Sequence, residues 1–196
     1  MKKRKFPILL VLGVALILSG LAMLMVLQLQ AQQGATKSQN IVAKMEALLP
    51  ERSQGTPGLS PNTQMPILNI DGTDYVAMVQ IPGFGITLPV ADHWNADKLA
   101  DGPARFWGSA YDHTLVIGGT DHEKQLSFCS KIQHGAVITL TDMTGAAFSY
   151  TVAKVERSAK AERAWLVAAE YDLTLYCRNT YSMEYIAVRC NYSTNG

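Results

Sequence analysis

The chain opens on a block of apolar positions. Pro7 to Leu29 (PILLVLGVALILSGLAMLMVLQL) carries no charge. As a helix rising about 1.5 Å per residue it extends roughly 35 Å, enough to cross a hydrocarbon core with some tilt. A cleaved secretion signal is the competing reading. Against it, the run is longer than a signal's apolar segment and no small-x-small pair follows. Gln28, Gln30, Gln32 and Gln33 crowd that place instead, and no cysteine there offers a lipid attachment. The pattern predicts an uncleaved signal anchor over 6–30. The basic tail 1–5 then stays in the cytoplasm and the remainder lies outside the cell membrane, a single pass.

The pattern then changes twice. Ser38 to Leu49 (SQNIVAKMEALL) places Ile41, Met45 and Leu48 on one helical face, with Val42 and Leu49 beside it. This predicts a short amphipathic helix that docks on the domain or stands it off the membrane. Pro50 to Pro66 (PERSQGTPGLSPNTQMP) is rich in Pro, Gly and Ser and reads as a linker. Residues 31–66 are thus a juxtamembrane helix and linker, and 67–196 the folded domain.

From Ile67 onward the pattern is that of strands. Asp71-Gly72 marks a hairpin turn into Tyr75–Ile81 (YVAMVQI), and Pro82-Gly83-Phe84-Gly85 turns into Ile86–Val90. Asp92–Ala100 reads as a short helix ended by Gly102-Pro103. Thr114–Gly118 (TLVIG) is a buried strand, and Gln125–Ile132 a helical turn with Cys129 in the core. Ala136–Leu140 and Ala147–Val155 form a meander hairpin. Glu156–Leu166 is a polar connection with some helical character, where Lys160, Glu162 and Arg163 make a solvated face.

Composition narrows the classes. The net charge is +1, and four of the basic residues, Lys2, Lys3, Arg4 and Lys5, lie in the tail. The rest of the chain has 13 basic and 16 acidic residues, which argues against nucleic-acid binding. The four histidines are scattered and no CxxC or HExxH pattern exists, so neither a metal nor another cofactor is predicted. Three cysteines, Cys129, Cys177 and Cys190, leave at least one unpaired.

Chemistry concentrates in the last hairpin, Tyr171–Cys190 (YDLTLYCRNTYSMEYIAVRC). Its two strands flank a polar turn and bring a thiol, Cys177, and a guanidinium, Arg189, into one neighbourhood. A positive charge beside a thiol favours the nucleophilic thiolate. Thr174-Leu175-Tyr176-Cys177 followed by Val188-Arg189-Cys190 resembles the C-terminal signature of sortases, the membrane-anchored cysteine transpeptidases of Gram-positive bacteria. Ile81-Pro82…Leu88-Pro89-Val90 resembles their first strands. Pro103, Arg105, Gly108 and Ser109, then Val116-Ile117-Gly118-Gly119, resemble a class B segment. The collinear order is more specific than any single motif.

The resemblance implies a mostly β protein, a sortase-like closed β-barrel with short peripheral helices, preceded by an N-terminal transmembrane helix. It implies that a cysteine attacks the Thr carbonyl of a sorting signal in a surface protein and passes the acyl group to a cell-wall precursor or pilin amine. An Arg steadies the oxyanion and a His protonates the leaving amine. Arg189 fits the family position. Cys177 lies one residue before the expected place, which Arg178 occupies. On a regular strand it shares the face of Leu173 and Leu175, and only a β-bulge at Thr174–Tyr176 would turn it outward. The expected His position holds Thr120, leaving His122 as the candidate acid, with His113 behind it and His93 and His134 peripheral. Two readings stay open: a transpeptidase using Cys177, His122 and Arg189, or a catalytically degenerate sortase-like domain acting as a cell-surface binding or scaffold module.

Overall fold

The structure is a computed structural model and describes residues 5–51, 53–55, 64–95, 99 and 101–193. Helix α1 runs unbroken over Lys5–Leu48. The apolar run expected as an anchor and the amphipathic segment therefore lie on one helix. Its apolar side chains from Leu10 to Val26 are exposed. Side chains at 5–9, 27–28 and 30–35 lie outside the described set. Among the described residues no helix is long and apolar enough to cross a membrane.

The C-terminal turns of α1 dock on the domain. Ile41, Val42 and Met45 pack on Ile70, Tyr75 and Met78. Leu48, placed on the same face by its spacing, is exposed instead. Lys37 and Lys44 pair with Asp101 and Asp71 across this contact.

Among the described residues ten strands follow: β1 Ser53–Gln54, β2 Leu68–Ile70, β3 Thr73–Ile81, β4 Ile86–Ala91, β5 Ala104–Trp107, β6 Leu115–Thr120, β7 Val137–Asp142, β8 Ala146–Ser158, β9 Leu173–Arg178 and β10 Tyr185–Tyr192. The order β8-β10-β9-β6-β5-β4-β3, with β7 pairing both β3 and β8, closes an eight-stranded barrel. Closure removes the free sheet edges that β-branched strands would otherwise expose. β1 and β2 extend it at the margins, β1 running parallel to β8 and β2 antiparallel to β3. The turn from β2 to β3 uses Asp71 and Gly72, both at positive φ, as a two-residue hairpin of this hand requires.

The barrel interior is filled from alternate positions of each strand. Val79, Ile81, Leu88, Val90, Leu115, Ile117, Leu140, Val152, Leu175 and Val188 belong to one core, with Phe128 and Cys129 inserted from a 3-10 turn at Ser127–Ser130. A second apolar cluster lies on the outer face of β6, β9 and β10. It comprises Val116, Tyr176 and Ala187 under Leu166 of the one-turn helix α2, Arg163–Leu166. The helix expected over Asp92–Ala100 falls partly on residues outside the described set. Of the described ones, 92–95 are not helical.

Candidate functional site

β9 and β10 pair without slippage, from Arg178 opposite Tyr185 to Leu173 opposite Cys190. β9 is equally regular against its parallel neighbour β6. The bulge that would turn Cys177 outward is thus missing from both ladders. Side-chain alternation then fixes the faces: Leu173, Leu175 and Cys177 point inward, and Thr174, Tyr176 and Arg178 outward.

Cys177 is accordingly 1% exposed and sits in the barrel core. Its thiol donates to the Leu126 carbonyl at 3.5 Å. Arg189 lies on the opposite face and pairs with Thr174, three residues before Cys177. That separates them by about 10 Å along the strand as well as by the sheet itself. The hairpin brings the two residues to adjacent strands but not into one groove.

Arg189 is wholly buried, yet outside the barrel. Its Nε donates to Glu156 Oε2 at 3.0 Å. Nη1 donates to the Leu166 carbonyl and to Thr174 Oγ1, each at 3.0 Å, and Nη2 to the Trp165 carbonyl. The Trp165 ring lies 5.0 Å from the guanidinium carbon and Tyr171 5.7 Å. Helix α2 thus closes over the cation, and both its terminal carbonyls and the Glu156 carboxylate use the donors that an oxyanion would need. Glu156, held by Lys154 first and then by Arg189, has its pKa drawn below the usual carboxylate value against the opposing effect of burial. Sequence reasoning missed these partners. The only signal was parity, since Thr174 and Arg189 share the outer face of paired strands.

The positions that the family pattern assigns to His and Cys do come together. Thr120 and Arg178 are Cα partners where β6 and β9 end side by side. Thr120 donates its hydroxyl to Gln125 Oε1 at 2.7 Å. Arg178 is exposed, with Nε donating to the Met183 carbonyl at 3.2 Å and the guanidinium 5.7 Å from the Tyr185 ring. His122 is half-buried in the loop just beyond. Its carbonyl accepts from the Gln125 and Ser127 amides, and its Nδ1 accepts from the Lys124 amide at 3.3 Å. The ring caps its own turn.

The other histidines are elsewhere. His113 Nδ1 meets Asp172 Oδ1 at 2.8 Å near the start of β6. His93 Nδ1 meets Asp92 Oδ2 at 2.6 Å, and His134 is exposed in a turn. Arg105 of the PxRxxGS-like segment binds the same buried Asp92 and the Gly108 carbonyl, a structural tie across the start of β5.

Next to this site the outer face is paved with aromatic rings. Trp94 stacks on Tyr176 at 5.6 Å, and Phe106 meets both edge-on at 5.7 and 5.6 Å. Gly118 makes this packing possible, because a Cβ there would come within 2.6 Å of the Tyr176 ring. A cavity of about 410 Å³ opens beside them, lined by Asp92, His93, Trp94, Arg105, Phe106 and Trp107.

Comparison with known proteins separates fold from sequence. No family model matches the chain, and no curated protein sequence does. Solved structures do. Sortase A from Corynebacterium diphtheriae superposes with a TM-score of 0.55 at 17% identity, covering 63% of this chain and 64% of that one. The chain therefore matches under two thirds of that sortase's length. A Clostridium perfringens sortase C, solved with the C-terminal cell wall sorting motif, gives 0.54 at 22% identity, covering 67% and 78%. Sortase C1 from Streptococcus agalactiae gives 0.54 at 17%, covering 65% and 72%. These are sortases of types A and C, whereas the sequence segments resembled class B. The closed eight-stranded barrel of this chain has the sortase fold.

Proposed function

We propose that this protein is a membrane-anchored, sortase-fold binding module that holds surface-protein sorting signals without cleaving them. One observation carries the reading. The strand ends where the family pattern puts an imidazole and a thiol carry Thr120 and Arg178. A Thr hydroxyl does not serve as a proton donor to a leaving amine near neutral pH, and a guanidinium stays protonated and is no nucleophile. Arg189 supports the same reading, since its donors are already engaged. The ligand class is drawn from the Clostridium sortase C solved with a sorting motif. The half-buried Trp94 and Phe106, backed by the buried Tyr176 and flanked by the exposed Trp107, offer apolar surface to an extended peptide.

The anchor and the extracellular placement belong to the same proposal. Leu10, Leu12, Leu16, Ile17 and Leu24 are each at least 60% exposed on α1 and would be stable in lipid rather than water. Lys2–Lys5 then hold the N-terminus in the cytoplasm.

The rival is a transpeptidase using Cys177, His122 and Arg189, with a cell-wall or pilin amine as acceptor. Incubating the full chain in detergent micelles with a sorting-signal peptide and hydroxylamine separates the two. The module binds the peptide and leaves it intact, with no acyl adduct on the protein by mass spectrometry. Peptide cleavage that disappears in C177A would establish the transpeptidase instead.

A further inference from the structure

The barrel core holds three sulfur atoms for which the binding reading has no use. Cys129, Cys177 and Cys190 are all buried, and all are free thiols in the structure. Two of them converge on one carbonyl. The backbone amide of Cys129 donates to Leu126 O at 3.0 Å, and the Cys177 thiol donates to the same oxygen at 3.5 Å. The Cys177 thiol therefore reaches the first turn of the segment that carries Cys129. Cys190 stands apart from Cys177: it faces Leu173, four residues along β9, or about 13 Å by strand rise. That is far beyond the Cα spacing of about 4.4–6.8 Å that a disulfide spans.

We propose that Cys129 and Cys177 are joined by a disulfide in the mature protein, tying the 3-10 turn after β6 to the end of β9. The proposal rests on the extracellular placement above, because disulfides persist in oxidising surroundings. The oxidant is a small-molecule or oxidoreductase disulfide. One protein thiolate attacks a sulfur of that disulfide, expelling a thiol and leaving a mixed disulfide. The second protein thiolate attacks the protein-side sulfur and expels the other thiol. Two protein thiols lose two protons and two electrons, and the external disulfide takes them up as two thiols.

Timing follows from burial. In the folded barrel, burial first and the Cys177 thiol second push the Cys129 pKa well above its ordinary value. The thiolate is therefore scarce once the core has closed. The bond forms before that, while the segment after β6 is still open. Once formed, it is shielded from reductants by the same packing. The cross-link closes a loop of some fifty residues, long enough for the loss of unfolded-state freedom to be large. It also takes Cys177 out of reach as a nucleophile.

Two preparations test it. In the first, the full chain is unfolded in guanidinium and refolded in detergent with reduced and oxidised glutathione. It is then denatured and alkylated with iodoacetamide. The expected product carries one alkylated cysteine, Cys190, and yields a linked peptide pair containing Cys129 and Cys177. Three alkylated cysteines, or a linkage through Cys190, overturns the pairing. In the second, protein taken directly from cell membranes is alkylated before any reductant is added. The linked pair there supports the bond in the mature protein. If the refolded sample is linked but the membrane sample carries three alkylated cysteines, the proposal falls through the extracellular placement and not the geometry. C129A and C177A are each expected to lower Tm of the oxidised protein by about 10 °C, and the double variant by little more. Additive losses count against the bond. Neither outcome depends on whether the module binds or cleaves a peptide.

Discussion

Thr120 and Arg178 are Cα partners at the adjoining ends of two parallel strands, Arg178 exposed and Thr120 half-buried with its hydroxyl on Gln125. On the proposed reading these are the positions of an imidazole and a thiol, held here by a hydroxyl and a guanidinium. Exchanging both, T120H together with R178C, places a thiol at an exposed strand end. The introduced thiol is expected to react with a methanethiosulfonate reagent at least about 100-fold faster than the cysteines of the natural chain, which are reached only through local opening. Stopped-flow or mass-resolved labelling measures this. Comparable rates in the two proteins would mean that Cys177 is accessible and that its burial is not the barrier.

Arg189 is expected to behave as a structural cation. Removing it in R189A leaves Glu156 with Lys154 alone and three acceptor groups without their donor, at a cost of about 3–5 kcal/mol. R189K keeps the charge but loses the planar fork that serves those acceptors, and is expected to recover less than half of that loss. Denaturant unfolding gives both values. A variant R189A with unaltered stability but weakened peptide binding would instead assign the guanidinium to the ligand.

How much of this was legible in the sequence depended on the range of the interaction. Most strands from Tyr75 to Cys190 follow from short β-prone runs between turn residues, and the Asp71-Gly72 turn from backbone sterics, because both are local; Ala104–Trp107 was not legible as a strand. The inward face of Cys177 was also readable, since its parity with Leu173 and Leu175 is local arithmetic once the strand is regular. What decided the matter was the absence of a bulge in β9, which depends on pairing with β6 and β10 and left no mark in the sequence. The enclosure of Arg189 was hidden for a similar reason. Its lid, Trp165 and Leu166, lies more than twenty residues away in a segment that reads only as a polar connection. The docking of α1 was half legible: helical spacing picked Met45 correctly and Leu48 incorrectly, because the packed stripe runs through Ile41, Val42, Met45 and Leu49 and Leu48 falls beside it.

Glu156 makes the stability of this region depend on pH. Its pKa is lowered in the folded protein, with Lys154 the first cause and Arg189 another. A depressed carboxylate stabilises the fold above its unfolded pKa, and that contribution is lost as pH falls through the folded value. Tm is therefore expected to drop on acidification from about pH 5 downward. E156Q is expected to start lower at pH 7 and to show a shallower fall. Parallel curves for the two proteins would remove Glu156 from the linkage.

Gly118 tests whether the aromatic pavement is built or incidental. The residue lies in β6 with its absent side chain directed at Trp94 and Tyr176, the Tyr176 ring being 2.6 Å from where a Cβ would stand. In G118A one ring must leave its stacked position, at about 1–3 kcal/mol. Because Trp94 contacts both Tyr176 and Phe106, its near-UV circular dichroism is expected to weaken along with Tm.

The junction between α1 and the barrel offers a contrast within a single helical turn. Met45 is fully buried against Ile70, Tyr75 and Met78, while Leu48 is 63% exposed. Both are large and apolar, and both fall on the face that spacing alone assigns to the domain. M45A is expected to destabilise the domain by about 2–4 kcal/mol, the cost of emptying a packed site. L48A is expected to stay within about 0.5 kcal/mol of the natural chain, as surface substitutions do. Thermal unfolding of the full chain in detergent measures both. If L48A is as costly as M45A, the end of α1 is covered in solution by a surface other than this barrel. If neither is costly, the helix does not rest on β2 and β3 in solution.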